Sequence, residues 1–206
     1  MFITLEGPEG SGKTTQVPLL ADFLRGRGHR VLTTREPGGT PIGDQIRQVL
    51  FSLDNKAMHP RSEILLFQAS RAQLVETVIR PALAEGQLVL CDRYADSTLA
   101  YQGYGHGVDL GALREIIHFA TGGLQPDLTI FLDIEVEEGL RRRDRGGDWN
   151  RLDDYQLDFH RRVRAGYLEL IDAEPDRWLV VNAAQPLDAV AAALQDVLQQ
   201  RLPLLG

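Results

Sequence analysis

Five short apolar runs punctuate the chain, and longer stretches with helical spacing separate them. Residues 2–6, 30–34, 88–92, 128–133 and 178–182 are rich in Val, Ile, Leu or Phe. Runs of this length predict strands covered on both faces of a sheet. Residues 13–27 predict a helix, because Val17, Leu20 and Leu24 recur at steps of three and four and Gly28 ends the pattern. Residues 62–84 predict another, carrying Ile64, Leu65, Ala69, Ala72, Val75 and Ile79. Residues 109–121, 135–143, 152–172 and 187–200 complete the helical set.

Strands that alternate with helices imply parallel βαβ units with right-handed crossovers. The predicted fold is therefore a three-layer α/β domain over residues 1–206, with a five-stranded parallel sheet flanked by helices. Ligands of such folds gather at the C-terminal ends of the strands. Two glycine-bearing segments, 101–107 and 144–150, read as mobile.

Composition narrows the class. Hydrophobic residues make up 43% and charged residues 25%, values of a packed globular domain rather than a disordered chain. The longest apolar run, 189–194, is far short of the ~18 residues of a membrane span. The start, Met-Phe-Ile-Thr-Leu-Glu, lacks the basic and apolar regions of a secretory signal. The net charge of −7 argues against general nucleic-acid binding, since phosphate backbones repel it. Cys91 is the one cysteine, which excludes an internal disulfide framework and fits a reducing cytoplasm. Its apolar surroundings suit a small core residue. The five histidines lack metal-ligand spacing with one another or with Cys91. Only two lysines, Lys13 and Lys56, stand against 20 arginines, so a lysine inside a motif draws notice.

Lys13 is inside one. Gly7-Pro8-Glu9-Gly10-Ser11-Gly12-Lys13-Thr14 matches G-x-x-x-x-G-K-[ST] and lies between a predicted strand and a predicted helix. Glycines there admit backbone geometries that point consecutive N–H groups at phosphate oxygens. The following helix N-terminus adds its dipole. Lys13 can reach the β- and γ-phosphates, and the Thr14 hydroxyl can bind Mg²⁺. This defines a nucleoside triphosphate site but not a reaction.

Asp92-Arg93-Tyr94 closes the third predicted strand. Asp92 there can reach Mg²⁺ directly or through water, and it also suits a helix N-cap. Arg93 implies a second anion near the γ-phosphate, where a hydrolytic switch needs a water. Phe67 and Arg71 are four residues apart on one predicted helix and share a face. By spacing alone Phe67 suits core packing, but an unpaired Arg71 on that face does not.

Taken together, Gly7 to Thr14, Thr34-Arg35-Glu36-Pro37-Gly38-Gly39-Thr40, Asp92-Arg93-Tyr94, Ser97-Thr98 and Tyr101-Gln102-Gly103 resemble the bacterial thymidylate kinase family. The order and spacing match from the first strand to the last helix. The resemblance implies a P-loop fold of the nucleoside monophosphate kinase type and transfer of the γ-phosphoryl group of ATP to dTMP. It implies that ATP is held by Gly7, Pro8, Glu9, Gly10, Ser11, Gly12, Lys13, Thr14 and Thr15. It implies that Phe67 stacks on thymine, that Arg71, Ser97 and Thr98 contact the base, and that Tyr101 and Gln102 line the sugar and base pocket. Arg35 and Arg93 would stand near the acceptor phosphate, and Glu9 against the deoxyribose 3′-hydroxyl. Mg²⁺ as cofactor, with Thr14 and Asp92 as its residues, and a cytoplasmic homodimer follow from the same resemblance.

Arg141-Arg142-Arg143-Asp144-Arg145-Gly146-Gly147 resembles the family's lid, expected here over about 141–150. Pro8, Glu9, Gly10 and Ser11 include no arginine, so the chain resembles the class whose lid supplies the catalytic one. Arg143 and Arg145 are the favoured candidates among the four. Two rival readings stay open: a different phosphoryl acceptor, and a P-loop switch that hydrolyses slowly whatever monophosphate is present.

Overall fold

A computed structural model describes residues 1–146 and 150–205. Among these, β1 (Phe2–Glu6), β2 (Val31–Arg35), β3 (Leu88–Asp92), β4 (Leu128–Asp133) and β5 (Trp178–Asn182) form one parallel sheet in the order β2-β3-β1-β4-β5. Four strands begin and end where the apolar runs do, and β2 is shifted by one residue.

Alternation along the strands divides the core. Ile3, Leu5, Leu88, Leu90, Leu128, Ile130 and Leu132 face α1 (Lys13–Arg25) and α9 (Leu187–Leu205) through Leu20, Leu24, Leu194 and Leu198. Intervening residues such as Phe131, and Phe2, Val89 and Cys91, enter two clusters on the opposite side. This period of two is the pleat of a strand, and it makes the sheet apolar on both faces. The expectation of full burial holds for β1, β3 and β4 but not for β2 and β5. Those two lie at the sheet edges, where covering stops; Val180 on β5 is 52% exposed.

The remaining helices differ from the sequence pattern in instructive places. α2 (Pro41–Phe51) was not signalled by periodicity, yet its start is well marked. Thr40 caps it by accepting from the Gly43 N–H at 2.9 Å, and Pro41 opens the first turn. α3 (Pro60–Leu74) runs through a wider turn at Val75–Ile79 into α4 (Arg80–Ala84). α5 (Ala95–Thr98) continues into a π-helical stretch, Leu99–Gly105. The latter corrects the mobile reading of 101–107. Tyr101 and Gln102 are buried, and a Cβ on Gly105 would stand 2.6 Å from the Phe159 ring. The glycines there permit close packing. α6 (Leu110–Thr121), α7 (Val136–Arg145) and α8 (Leu157–Ala173) follow, α8 packing against the π-helical stretch.

Pairing of β1 with β3 sets Leu5 beside Asp92, and pairing of β2 with β3 sets Arg35 beside Asp92. Three distant segments therefore meet at one sheet edge. α7 touches the same edge: a Cβ on Gly10 would lie 1.9 Å from the Gly139 carbonyl oxygen, and one on Gly139 2.2 Å from that of Glu9. Two facing glycines thus let the helix bearing the arginine cluster rest on the phosphate loop. That cluster is helical up to Arg145; Gly147, Asp148 and Trp149 of the expected lid lie outside the described residues.

Candidate active site

The phosphate loop leaves β1 at Glu6 and enters α1 at Lys13. Lys13 is folded into the loop, donating to the carbonyls of Gly7 (3.0 Å) and Pro8 (2.9 Å) and to Ser11 Oγ (3.1 Å). Gly7, Pro8 and Ser11 therefore hold the lysine from below. Glu9, Gly10, Gly12, Lys13, Thr14 and Thr15 line a cleft of about 530 Å³. Burial pulls the Lys13 ammonium down to about 8, with Arg93 adding and Glu9 and Asp92 opposing. Thr14 Oγ1 donates to Asp92 Oδ2 at 2.8 Å. Two hard oxygen ligands at the loop fit Mg²⁺, which takes few protein ligands and keeps its phosphate and water oxygens. Among the described residues no group of three His, Cys, Asp or Glu gathers that could hold a metal ion.

Arg93 follows β3 in a left-handed conformation (φ 67°), unusual for a residue other than glycine. That turn sends its guanidinium back over the loop. It donates to the Gly7 carbonyl (3.1 Å), Ser97 Oγ (3.2 Å), Glu9 Oε1 (2.8 Å) and the hydroxyls of Tyr101 (3.0 Å) and Tyr167 (3.4 Å). Tyr101 also donates to Glu9 at 2.8 Å. Burial alone would raise the Glu9 carboxyl, but Arg93 and Lys13 hold it down at about 2. Glu9 is therefore a fixed negative charge throughout the physiological range.

The far wall of the cleft comes from α3, α5 and the π-helical stretch. Phe67 lines it half-buried and belongs to none of the three core clusters. Arg71 also lines the wall, at 1% exposure. Its Nε and one terminal nitrogen grip Glu36 (2.8 and 2.6 Å), and its remaining bonds go to Gln68, Thr98 and the Tyr94 carbonyl. Burial opposes the Arg71 charge and Glu36 restores it. Ser97, Thr98, Tyr101 and Gln102 complete the wall.

Arg35 lines the mouth, exposed at the end of β2. Arg47, on the helix the periodicity did not signal, joins it there. Its guanidinium lies 4.3 Å over the Phe51 ring and donates to the Pro37 carbonyl, and burial, with Arg35 nearby, lowers it to about 10. Of the lid arginines, Arg143 reaches the cleft and donates to Asp153 (3.1 Å). Arg142 lines it too but is tied to Glu138 and to the carbonyls of Ala183 and Ala184. Arg145 is exposed and outside the cleft lining.

Sequence reasoning missed Arg47 and Glu6. Glu6 is fully buried behind Arg93. It accepts from the Tyr94 N–H (2.8 Å), Ser97 Oγ (2.6 Å) and the Tyr167 hydroxyl (2.8 Å). The available signal was an acidic residue ending an otherwise apolar strand.

A phosphate loop, an arginine-lined wall and a helix of arginines around one cleft define the class: a P-loop fold of the nucleoside monophosphate kinase type. The family model for thymidylate kinase matches residues 5–194. A thymidylate kinase of Thermomicrobium roseum is 57% identical over 194 residues, covering 94% of this chain and 91% of the relative. One from Roseiflexus sp. strain RS-1 is 52% identical over 214 residues, covering 98% and 95%. The crystal structure of thymidylate kinase from Ehrlichia chaffeensis superposes with a TM-score of 0.79 at 32% identity, covering 96% of this chain and 98% of that one. The chain belongs to the thymidylate kinase family, whose reaction is the ATP-dependent phosphorylation of dTMP.

Burial pushes the Glu6 carboxyl from 4.5 up to about 7, with Asp96 adding and Arg93, Ser97 and Tyr167 opposing. Across that window the unfolded chain gives up a proton that the folded protein keeps, so this group makes stability fall as pH rises. Glu6→Gln cannot titrate. Urea denaturation at about pH 5 and about pH 8 should show a smaller decline for Glu6→Gln than for the wild type, the difference being on the order of 3 kcal/mol. Identical declines would contradict the burial of a titrating Glu6.

Proposed function

We propose that this cleft performs the family's reaction with ATP over the phosphate loop and dTMP against the wall of Phe67 and Arg71. The observation that carries this reading is the shared guanidinium. Arg93 bonds Glu9 of the loop and Ser97 and Tyr101 of the wall, so both nucleotide sites meet at one cation.

The chemistry needs no strong base. The acceptor phosphate has a second pKa of about 6 and is largely a dianion near neutrality. The barrier lies in bringing two anions into line, so catalysis is positioning and charge neutralisation. Lys13 serves the donor phosphates, while Arg93, Arg35 and Arg47 serve the acceptor phosphate. Thr14 and Asp92 would hold Mg²⁺, which when bound would supply charge neutralisation at the donor phosphates. Glu9 accepts only, which suits a sugar hydroxyl such as the deoxyribose 3′-OH. Phe67 offers a ring face to the base.

Arg143 is the better candidate for the lid arginine, since it lines the cleft and Arg145 does not. Segment 141–150 is proposed to close over the donor and exclude water. The homodimer is supported by exposed apolar side chains on adjacent helices: Ile42 and Val49 on α2, Leu65 on α3, and Phe119 on α6 at 89% exposure. No described helix is long and apolar enough to cross a membrane. A cytoplasmic location and the lack of nucleic-acid partners rest on the lone buried Cys91 and the −7 charge.

ADP release measured across a panel of nucleoside monophosphates should be fastest with dTMP. Release indifferent to the monophosphate would instead identify a hydrolytic switch. Phe67→Ala should raise KM for dTMP by roughly 5- to 150-fold, the worth of one stacked base, and leave KM for ATP within about twofold. Equal rises for both nucleotides would overturn the stacking role. Arg143→Ala should lower kcat by about 10³-fold, as arginine fingers do, and Arg145→Ala by far less. The reverse order would move the catalytic role to Arg145.

A further inference from the structure

A second buried charge cluster stands behind the base side of the cleft. Glu63 lies one helical turn before Phe67 on α3 and is 1% exposed. Its Oε1 accepts from Gln102 Nε2 at 2.8 Å, and the His106 Nε2 lies 3.5 Å away. Its Oε2 accepts from Tyr155 at 3.1 Å and is paired with Arg151. Burial would raise this carboxyl, but the neighbouring His106 and the hydrogen bonds from Arg151 and Gln102 hold it at about 2. Glu63 is therefore ionised and can only accept.

Arg151 is itself anchored. Its Nε donates to the Leu50 carbonyl (2.9 Å), one terminal nitrogen donates to the Tyr155 hydroxyl (2.9 Å), and its backbone N–H to the Phe51 carbonyl (3.3 Å). A buried ion pair of this kind contributes little net stability, and its best-attested use is to specify one arrangement over another. Here the arrangement specified is an amide. Gln102 has a donor end and an acceptor end of nearly equal shape, and it turns over freely unless its neighbours choose. A permanent acceptor on one side takes the NH₂. The carbonyl Oε1 is then the end left without a bond from any described residue, on a side chain that lines the cleft.

We propose that the Arg151–Glu63 pair sets the base preference of the acceptor site by holding Gln102 so that it presents an acceptor to the cleft. The inference rests on the reading of this wall as the dTMP site. A pyrimidine whose ring carries an N–H, as thymine does, meets Oε1 with a hydrogen bond. Cytosine, with a bare ring nitrogen, sets acceptor against acceptor and leaves both unpaired. Uracil carries the same N–H as thymine, so this device does not separate dUMP from dTMP. Arg151 and Glu63 are positioning residues: they act through Gln102.

The test is the ratio of kcat/KM for dTMP to that for dCMP, each pair measured on one preparation. The fraction of active enzyme cancels from that ratio, so a purely structural role leaves it unmoved. Glu63→Gln can offer either a donor or an acceptor to Gln102 and frees the amide to turn over. The double variant Glu63→Gln with Arg151→Met removes both charges, so no buried ion is left unpaired if the single variant folds poorly. In either variant the ratio should fall by about tenfold or more, since a site built around a hydrogen bond discriminates strongly. A change below about threefold in both variants overturns the proposal. Gln102→Ala separates the two ways of failing. If it lowers the ratio while the charge variants do not, the wall still binds the base and only the Arg151–Glu63 role is lost. If it too leaves the ratio unchanged, the base does not lie at Gln102, and the reading of this wall fails with the inference.

Discussion

One ion pair, Arg93 with Glu9, holds the two halves of the cleft together. Its oxygen and nitrogen are 2.8 Å apart, and both side chains are about one-sixth exposed. A left-handed residue at the end of β3 is strained by roughly 1–3 kcal/mol and persists only where its surroundings over-determine it. The surroundings here are the Gly7 carbonyl, Ser97, Tyr101, Tyr167 and Glu9. Behind them Glu6 fixes Ser97, Tyr167 and the Tyr94 N–H. The loop, the strand mouth and the wall are thus set by one hydrogen-bonded cluster before any nucleotide arrives.

The same cluster settles how a chain of net charge −7 can receive two highly charged anions. Local fields decide anion binding, and the cations are concentrated at the sheet edge. Their own repulsion must be offset. Glu9 and Asp92 sustain Lys13 against burial, and Glu36 does the same for Arg71. Arg71 illustrates the consequence. Its nitrogens bond Glu36, Gln68, Thr98 and the Tyr94 carbonyl, so in the proposed role it meets a base by sharing or exchanging one of these partners.

The sheet and the phosphate loop were legible in the sequence because each rests on a local pattern. Four of five strands could be bounded to the residue from apolar runs alone, and G-x-x-x-x-G-K-T marks its own loop. Residues 101–107 were misjudged because glycine has two uses. Gly105 serves close approach to Phe159, and no single-chain pattern distinguishes that from flexibility. α2 escaped notice, and Arg47 with it, although Thr40 and Pro41 mark a helix start. The partners that gather around Glu6 and Glu63 were invisible for a deeper reason. Glu63 and Arg151 are 88 residues apart, and Glu6 and Tyr167 are 161 apart. A charged residue in sequence reads as surface; only the fold reveals that these are paired and buried.

Comparing dTMP with thymidine, which lacks the phosphate, isolates what Arg93 contributes to the acceptor anion. Titration calorimetry of both ligands should show that the wild type prefers dTMP. Arg93→Gln should shrink that preference by roughly 10- to 150-fold, the worth of one charged hydrogen-bonding contact. The affinity for thymidine itself should change far less, since Phe67 stands on α3 and Arg71 is held by Glu36, Gln68, Thr98 and the Tyr94 carbonyl rather than by Arg93. A preference for dTMP that survives the substitution undiminished would contradict the claim that Arg93 joins the two nucleotide sites.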